Sequence, residues 1–141
     1  MILVDSNVVI DLLGPPSEWQ AWSEDAIVEA GADNELALSP IVVAEVAPKA
    51  GSLEAFLASV ERFGATVVAL SNEAAYAAGV AFNVYRERRR QGEDAPRAII
   101  ADFLIGGQAV TLGATIVTRD PRFYRAYFPS VSLIAPDKAA P

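Results

Sequence analysis

The sequence predicts an α/β fold, a three-layer α/β/α sandwich around a mainly parallel sheet of about five strands. Five short β-prone apolar runs alternate with segments whose apolar residues recur at helical spacing. Strands separated by helices require right-handed crossovers, which give a parallel sheet covered on both faces. The chain has 141 residues, 52% hydrophobic and 21% charged, which is typical of one globular domain over residues 1–141.

Each predicted strand is a short run of aliphatic or β-branched residues next to polar or turn residues. The first run ends at Asp5, and the fourth ends at Thr118, shortly before Asp120. The predicted strands cover residues 2–4, 36–38, 66–70, 115–118 and 131–134. In a parallel sheet the residues after the carboxyl ends of the strands lie along one edge, where such sheets bind ligands.

The predicted helices are marked by capping residues, by prolines in the first turn and by glycines after the last turn. Ser6 or Asn7 is expected to cap the first helix, and Pro96 is expected to open a helix that ends before Gly113. The predicted helices cover residues 8–13, 17–30, 40–47, 52–63, 72–90 and 96–112, with a short helix after Pro121.

The composition excludes several kinds of catalysis, because the chain contains neither Cys nor His. Disulfides, thiolate chemistry, Ser-His-Asp catalysis, His-ligated zinc and paired-histidine acid/base chemistry are therefore ruled out. Carboxylates, hydroxyls, amides, arginines and a hard metal ion are left to carry any reaction. Because no apolar stretch reaches the roughly 18 residues of a membrane span, we expect a soluble, cytoplasmic protein.

Charge is distributed unevenly along the chain, whose formal net charge is −7. Residues 1–61 contain eleven acids and one basic residue, Lys49, whereas all nine arginines lie between Arg62 and Arg125. A negative chain is usually a poor nonspecific nucleic-acid binder, but a local basic surface can coexist with an acidic remainder. The arginine runs are therefore either solvated helix ends or phosphate contacts.

Four carboxylates, Asp5, Glu45, Asp102 and Asp120, stand where they can face the same edge of the sheet. Glu45 and Asp102 are embedded in apolar helical segments with no adjacent basic residue, where an unpaired charge is costly. A bound cation would neutralise them, and carboxylates with water suit Mg²⁺ or Mn²⁺. The alternatives are helix capping by Asp5 and Asp120, and ion pairs between the other two acids and distant arginines.

Four motifs occur in order along the chain, and three polar residues in them, Ser6, Asn7 and Thr118, are either turn residues or site residues. The motifs are Asp5-Ser6-Asn7 after an apolar strand, Glu45 in a helix preceded by Ser39-Pro40, Asp102-Phe103-Leu104-Ile105-Gly106, and Thr118-Arg119-Asp120. Together they resemble the PIN-domain ribonucleases, specifically VapC-type toxins, over nearly the whole chain. Related chains often have a small residue and His after the third motif, where this chain has Gly107-Gln108.

The resemblance implies a Mg²⁺- or Mn²⁺-dependent endoribonuclease that is the toxin of a toxin-antitoxin module. Its partners would be an RNA substrate, a cognate antitoxin and a second copy of itself in a homodimer. The positions that match the family's acidic metal site are Asp5, Glu45, Asp102 and Asp120. The polar positions that flank it are Ser6, Asn7 and Thr118.

On this hypothesis a water molecule activated by the metal attacks an RNA phosphodiester and leaves 5′-phosphate and 3′-hydroxyl ends. The candidate phosphate contacts are Arg86, Arg88, Arg89, Arg90, Arg97 and Arg119.

Two other functions fit parts of the pattern. A noncatalytic module could receive a basic segment of a partner protein in an acidic pocket. An aspartyl-nucleophile phosphatase fits poorly, because Asn7 stands where a second Asp is needed and the only lysines are Lys49 and Lys138.

Overall fold

Five parallel strands form one sheet in the computed structural model, which describes residues 1–94 and 97–137. They are β1 (Ile2–Val4), β2 (Leu36–Leu38), β3 (Ala65–Val67), β4 (Thr115–Val117) and β5 (Leu133–Ile134). The strands pair in the order β3-β2-β1-β4-β5, and every pair is parallel. The strands are short, and β1 is the central one.

Seven α-helices flank the sheet within the described residues. They are α1 (Ser6–Leu13), α2 (Gln20–Gly31), α3 (Pro40–Val46), α4 (Leu53–Arg62), α5 (Asn72–Arg90), α6 (Ile100–Leu112) and α7 (Arg122–Tyr127), with a short 3₁₀ helix at Ala47–Ala50. Right-handed crossovers place α1 to α4 on one face of the sheet and α5 to α7 on the other, because the chain reverses its direction across the sheet after β3. The predicted α/β sandwich is confirmed.

The reversal creates a switch point between β1 and β4, which are hydrogen-bonded neighbours with Ile2 opposite Thr115. From β1 the chain proceeds towards β2, whereas from β4 it proceeds towards β5. In open parallel sheets a crevice forms at the carboxyl ends of two such strands. The residues that follow them, Asp5 after β1 and Thr118 after β4, therefore face the same crevice.

The core consists of the buried strands and the apolar faces of the helices that cover them. On the α5 to α7 face, Phe103 lies at the centre of an aromatic cluster, with its ring centroid 4.9 Å from that of Phe123 and 5.3 Å from that of Tyr127. This packing fixes α7, and with it the segment after β4, against α6. No helix in the described part of the chain is long and apolar enough to cross a bilayer.

Two helices begin where the sequence did not predict. Helix α1 begins at Ser6 rather than residue 8, because the Asp5 side chain caps it and replaces Ser6 or Asn7 in that role. Helix α2 begins at Gln20 rather than residue 17, and the Ser17 hydroxyl donates a hydrogen bond to Asp11 instead of capping the helix.

Several other elements are shorter than predicted; strand β5, for example, begins at Leu133 rather than residue 131. Helix α6 begins at Ile100, residues 97–99 are not helical, and Pro96, its predicted first residue, lies outside the described residues. Strand β3 ends at Val67 rather than residue 70, because its neighbour β2 ends at Leu38, opposite Val67. The Gln108 amide donates hydrogen bonds to the next two backbone carbonyls, at 2.9 and 3.2 Å.

Helices α5 and α6 pack closely at Gly107, where a Cβ atom would lie 2.4 Å from the Ala74 carbonyl oxygen and 2.7 Å from the Ala78 backbone nitrogen. We expect Gly107→Ala to lower the free energy of unfolding by about 1–3 kcal/mol, because two backbones must separate. The matched control is Gly79→Ala in α5, where a Cβ meets nothing within 4 Å. This control should gain about 0.5–1 kcal/mol from helix propensity. Urea denaturation measures both, and equal effects would contradict the close approach.

Candidate active site

A cavity of about 980 Å³ opens at the carboxyl ends of the strands. It brings together all four candidate carboxylates, which come from the end of β1, from α3, from α6 and from the segment after β4. Its lining residues are Asp5, Ser6, Asn7, Ile10, Glu45, Lys49, Arg89, Asp94, Arg97, Asp102, Asp120, Arg122, Phe123 and Tyr124. The strand-end argument from the sequence thus accounts for where these carboxylates lie.

Asp5 is the most buried of the four carboxylates, with 8% of its surface exposed. One carboxylate oxygen accepts a hydrogen bond from the Ser6 backbone N–H at 2.8 Å and so caps α1. The other accepts hydrogen bonds from Asn7 Nδ2 at 2.9 Å and from Thr118 Oγ1 at 2.7 Å. Asp5 is therefore a helix cap and a wall of the cavity at once.

Burial raises the pKa of Asp5 from 3.8 to about 6. The hydrogen bonds from Thr118 and Ser6 act in the opposite direction, whereas the nearby charge of Asp102 adds to the rise. At neutral pH, the hydrogen bonds to Asp5 therefore do not fully offset the cost of burying its charge.

The polar residues beside Asp5 connect the ends of β1 and β4. The Asn7 amide donates a hydrogen bond to Thr118 Oγ1 at 3.1 Å and accepts one from the Arg119 backbone N–H at 3.2 Å. Thr118 Oγ1 also accepts a hydrogen bond from the Asp120 backbone N–H at 3.1 Å. Asn7 and Thr118 therefore fix the path of the segment that presents Asp120 to the cavity.

Glu45 and Asp102 each accept a hydrogen bond from a neutral donor. Glu45 is exposed and accepts a hydrogen bond from the Ser6 hydroxyl. Asp102 is half-buried in the first turn of α6 and accepts a hydrogen bond from the Ile99 backbone N–H at 3.0 Å. Across the described part of the chain, no ion pair involves either of them.

Asp120 differs from the others, because both of its oxygens face one arginine. Arg122 Nε and Nη2 lie 2.9 Å from Asp120 Oδ1 and Oδ2 respectively. This two-point contact, more than any other factor, lowers the pKa of Asp120. Because both side chains are exposed, the pair adds little to stability.

Four of the six candidate phosphate contacts, Arg86, Arg89, Arg97 and Arg119, lie in different surroundings. Arg89 and Arg97 line the cavity. Arg86 lies outside it, with its guanidinium 5.9 Å from the centre of the Phe82 ring. Arg119 faces inward, and its Nη1 lies 2.8 Å from the carboxylate of Asp11, which is 2% exposed.

Six cavity residues were not identified from the sequence: Ile10, Lys49, Asp94, Arg122, Phe123 and Tyr124. Lys49 could have been noticed as the only basic residue before Arg62, and Arg122 by its position two residues after Asp120. Tyr124 carries no such signal, because an aromatic residue in a short helix usually belongs to the core.

The buried Asp5 carboxyl predicts a pH dependence of stability in the metal-free protein. Its pKa is higher in the folded chain, about 6, than its usual 3.8, so its stabilising contribution is complete below pH 3.8. That contribution should be lost as the pH rises to about 6, and we expect a loss of about 3 kcal/mol at most. Denaturation in EDTA between pH 4.5 and 7.5 measures this loss of stability. Asp5→Asn is the control, because it has no carboxyl group at this position to titrate. Parallel curves for the two proteins would contradict it.

Several solved structures are similar to this chain over nearly its whole length. Three of the similar solved structures are VapBC2 from Rickettsia felis bound to a promoter DNA fragment, DNA-bound VapBC from Salmonella typhimurium, and a toxin-antitoxin complex from Klebsiella pneumoniae. Their sequence identities to this chain are 20%, 24% and 18%, with TM-scores of 0.68, 0.63 and 0.64. The matches cover 96%, 95% and 93% of this chain, and 98%, 96% and 95% of the chains compared.

A comparison with curated proteins finds no significant match. The family model described as PIN domain matches residues 2–129, from the first strand to beyond α7. This match spans the sheet switch point and all four cavity carboxylates, and the chain therefore belongs to the PIN domain family.

Proposed function

We propose that the chain is a Mg²⁺- or Mn²⁺-dependent endoribonuclease, acting on cytoplasmic RNA as the toxin of a toxin-antitoxin module. PIN domains are generally nucleases, and we propose that residues 1–141 form one such domain. The observation that carries the proposal is the convergence of four carboxylates, from four separate elements, in one cavity at the sheet switch point.

The donor chemistry of the cavity fits a hard divalent cation, because its candidate ligands are carboxylate oxygens flanked by Ser, Asn and Thr. Among the described residues no basic side chain pairs with the buried Asp5, and an ion would supply the missing positive charge. Within residues 1–94 and 97–137, no three acidic side chains stand close enough to share one ion as they are placed. Three of the carboxylates instead contact Ser6, Ile99 and Arg122.

We assign the ion to Asp5, Glu45, Asp102 and Asp120, held directly or through water. When bound, it would make an attacking water more acidic and stabilise negative charge on the phosphodiester. The remaining work falls to the protein. Thr118 and Asn7 hold the Asp5 carboxylate, and basic residues that line the cavity bind RNA phosphates. These basic residues are Lys49, Arg89 and Arg97.

The antitoxin partner is proposed because the similar structures are toxin-antitoxin complexes. We further propose a homodimer as the working assembly.

The test is to incubate the purified chain with total RNA in Mg²⁺ or Mn²⁺, beside EDTA and the Asp102→Asn variant. We expect cleavage that needs both the metal and Asp102, with 5′-phosphate and 3′-hydroxyl ends. Recovery of 2′,3′-cyclic phosphate ends would show that the ribose hydroxyl is the nucleophile and would refute the mechanism. Cleavage that continues in EDTA would refute the metal requirement.

A noncatalytic acidic-pocket module is the second candidate, and the Arg122 contact to Asp120 favours it. In that contact a guanidinium donates hydrogen bonds to both oxygens of a cavity carboxylate. An arginine from a partner protein could bind in the same way. Absence of cleavage in every metal, together with binding of an arginine-rich peptide that Asp5→Asn weakens, would support this function instead.

A further inference from the structure

We propose that a second cavity, next to the one that contains the four carboxylates, binds a nucleotide of the RNA strand beside the cleaved bond. The base of this nucleotide stacks on Trp19, and its phosphate contacts Arg125. This inference rests on the proposed function and adds a substrate subsite to it.

The second cavity has a volume of about 820 Å³ and is lined by residues 17–19, 119–122 and 135–137, together with Arg125. Two of these segments follow β4 and β5, which are parallel neighbours, so the second cavity lies at the same edge of the sheet as the carboxylates. Asp120 and Arg122 line both cavities. An RNA strand bound across the carboxylates therefore has one continuous path into the second cavity.

Trp19 presents an aromatic surface to the second cavity. Its side chain is half-buried, and its ring lies edge-to-face with that of Trp22, with ring centroids 6.2 Å apart and an interplanar angle of 89°. Trp22 in turn packs against the core, so it holds the Trp19 ring in place. Proteins that bind single-stranded RNA stack bases on such aromatic side chains. Trp19 therefore provides a stacking surface for one base.

Arg125 is the arginine of the second cavity that forms no ion pair within the described residues. Arg119 Nη1, by contrast, lies 2.8 Å from the Asp11 carboxylate. Arg122 donates hydrogen bonds to both oxygens of Asp120. Arg125 is exposed and follows Arg122 by three residues in α7, so both side chains lie on the same side of that helix. The Arg125 guanidinium can therefore donate hydrogen bonds to a phosphate in the second cavity.

Two exposed acids, Glu18 and Asp137, also line the second cavity. They would repel an acidic peptide, and the arginines would repel a basic one. A nucleotide carries both kinds of partner, because its phosphate accepts hydrogen bonds from Arg125 while the N–H groups of its base donate to carboxylates. The combination of an indole, an arginine and carboxylates thus favours a nucleotide over a peptide of either charge.

The experiment measures the binding of a short fluorescein-labelled single-stranded RNA of random sequence in EDTA, where the proposed cleavage does not occur. We expect Trp19→Ala to bind this RNA roughly tenfold more weakly, and Trp19→Phe, which keeps an aromatic ring, to lose less. Arg125→Ala should weaken binding and reduce its salt slope by about 0.7, as expected for one phosphate contact.

The matched controls are Tyr76→Ala and Arg62→Ala. They remove an exposed aromatic ring from α5 and an exposed arginine from α4, both outside the two cavities. Both variants should bind RNA like the wild type.

Two further readouts separate stacking from a general loss of binding. A base stacked on Trp19 should quench the indole fluorescence of the wild type, and this quenching should be lost in Trp19→Ala, which retains Trp22. In the cleavage assay, Trp19→Ala should raise the KM for RNA roughly tenfold with little change in kcat, because the lost contact is equally strong in the ground and transition states. Circular dichroism and denaturation of Trp19→Ala exclude unfolding as the cause.

If the wild type binds and cleaves RNA and Trp19→Ala binds it equally tightly, the inference is overturned while the proposed function stands. Equal losses in Trp19→Ala and Tyr76→Ala would also overturn it, since they would reflect a general loss of aromatic surface. If the wild type neither binds nor cleaves RNA, the proposed function fails, and this inference fails with it. Binding of a polyarginine or polyglutamate peptide that Trp19→Ala abolishes, with RNA binding unchanged, would assign the second cavity to a partner protein instead.

Discussion

Replacing Asp5 with asparagine should reduce metal-dependent RNA cleavage roughly a thousandfold and leave the chain folded. The metal would lose a charged ligand, and several kcal/mol of transition-state stabilisation depend on that charge. The fold should persist because the asparagine side chain retains an oxygen for the Ser6 backbone N–H, which the Asp5 carboxylate accepts at 2.8 Å.

The measurement is the initial rate of RNA cleavage at fixed Mn²⁺, beside Mn²⁺ binding by calorimetry. Asp25→Asn is the matched control, because it makes the same change of charge on an exposed residue of α2 outside the cavity. It should cleave RNA at the wild-type rate. If Asp5→Asn keeps more than about a tenth of the wild-type rate, Asp5 is not a metal ligand, and its role is that of a helix cap.

The fold was largely predictable because the signals that specify its helices and strands lie within short segments of the sequence. Strand and helix periodicity, together with Ser39-Pro40 and Gly113, mark the elements, and the handedness of crossovers then restricts their arrangement. Some wrong boundaries depend on distant parts of the chain. Strand β3 ends early because β2, its neighbour in the sheet, ends at Leu38, opposite Val67, and no local pattern reveals this register.

The site was predictable to the extent that it depends on topology. Asp5 and Asp120 follow adjacent parallel strands, so their proximity follows from the sheet alone. The partner of each side chain was not predictable. Arg122 could have pointed to solvent, and nothing in the sequence distinguishes Tyr124, which lines the cavity, from Tyr127, which does not. Such differences depend on side-chain direction in α7.

Arg119 shows this limit most clearly, and its replacement by alanine should lower the free energy of unfolding by about 3 kcal/mol. The sequence placed Arg119 among the phosphate contacts, but its guanidinium lies 2.8 Å from Asp11, 108 residues earlier in the chain. Asp11 is 2% exposed and also accepts hydrogen bonds from the Ser17 and Ser23 hydroxyls. Removal of Arg119 would leave a buried carboxylate with hydroxyl partners only, which is costly.

The Asp11–Arg119 pair connects α1 to the segment after β4, so its loss should also loosen the placement of Asp120. Chemical denaturation measures the loss of stability, with Arg125→Ala as control. Arg125 is exposed in α7, and its loss should cost less than about 0.5 kcal/mol. The salt dependence of RNA binding distinguishes the two roles of Arg119. A structural arginine leaves the slope unchanged, whereas a phosphate contact reduces it by about 0.7. If Arg119→Ala reduces the slope and leaves the stability unchanged, Arg119 is a phosphate contact and not a structural residue.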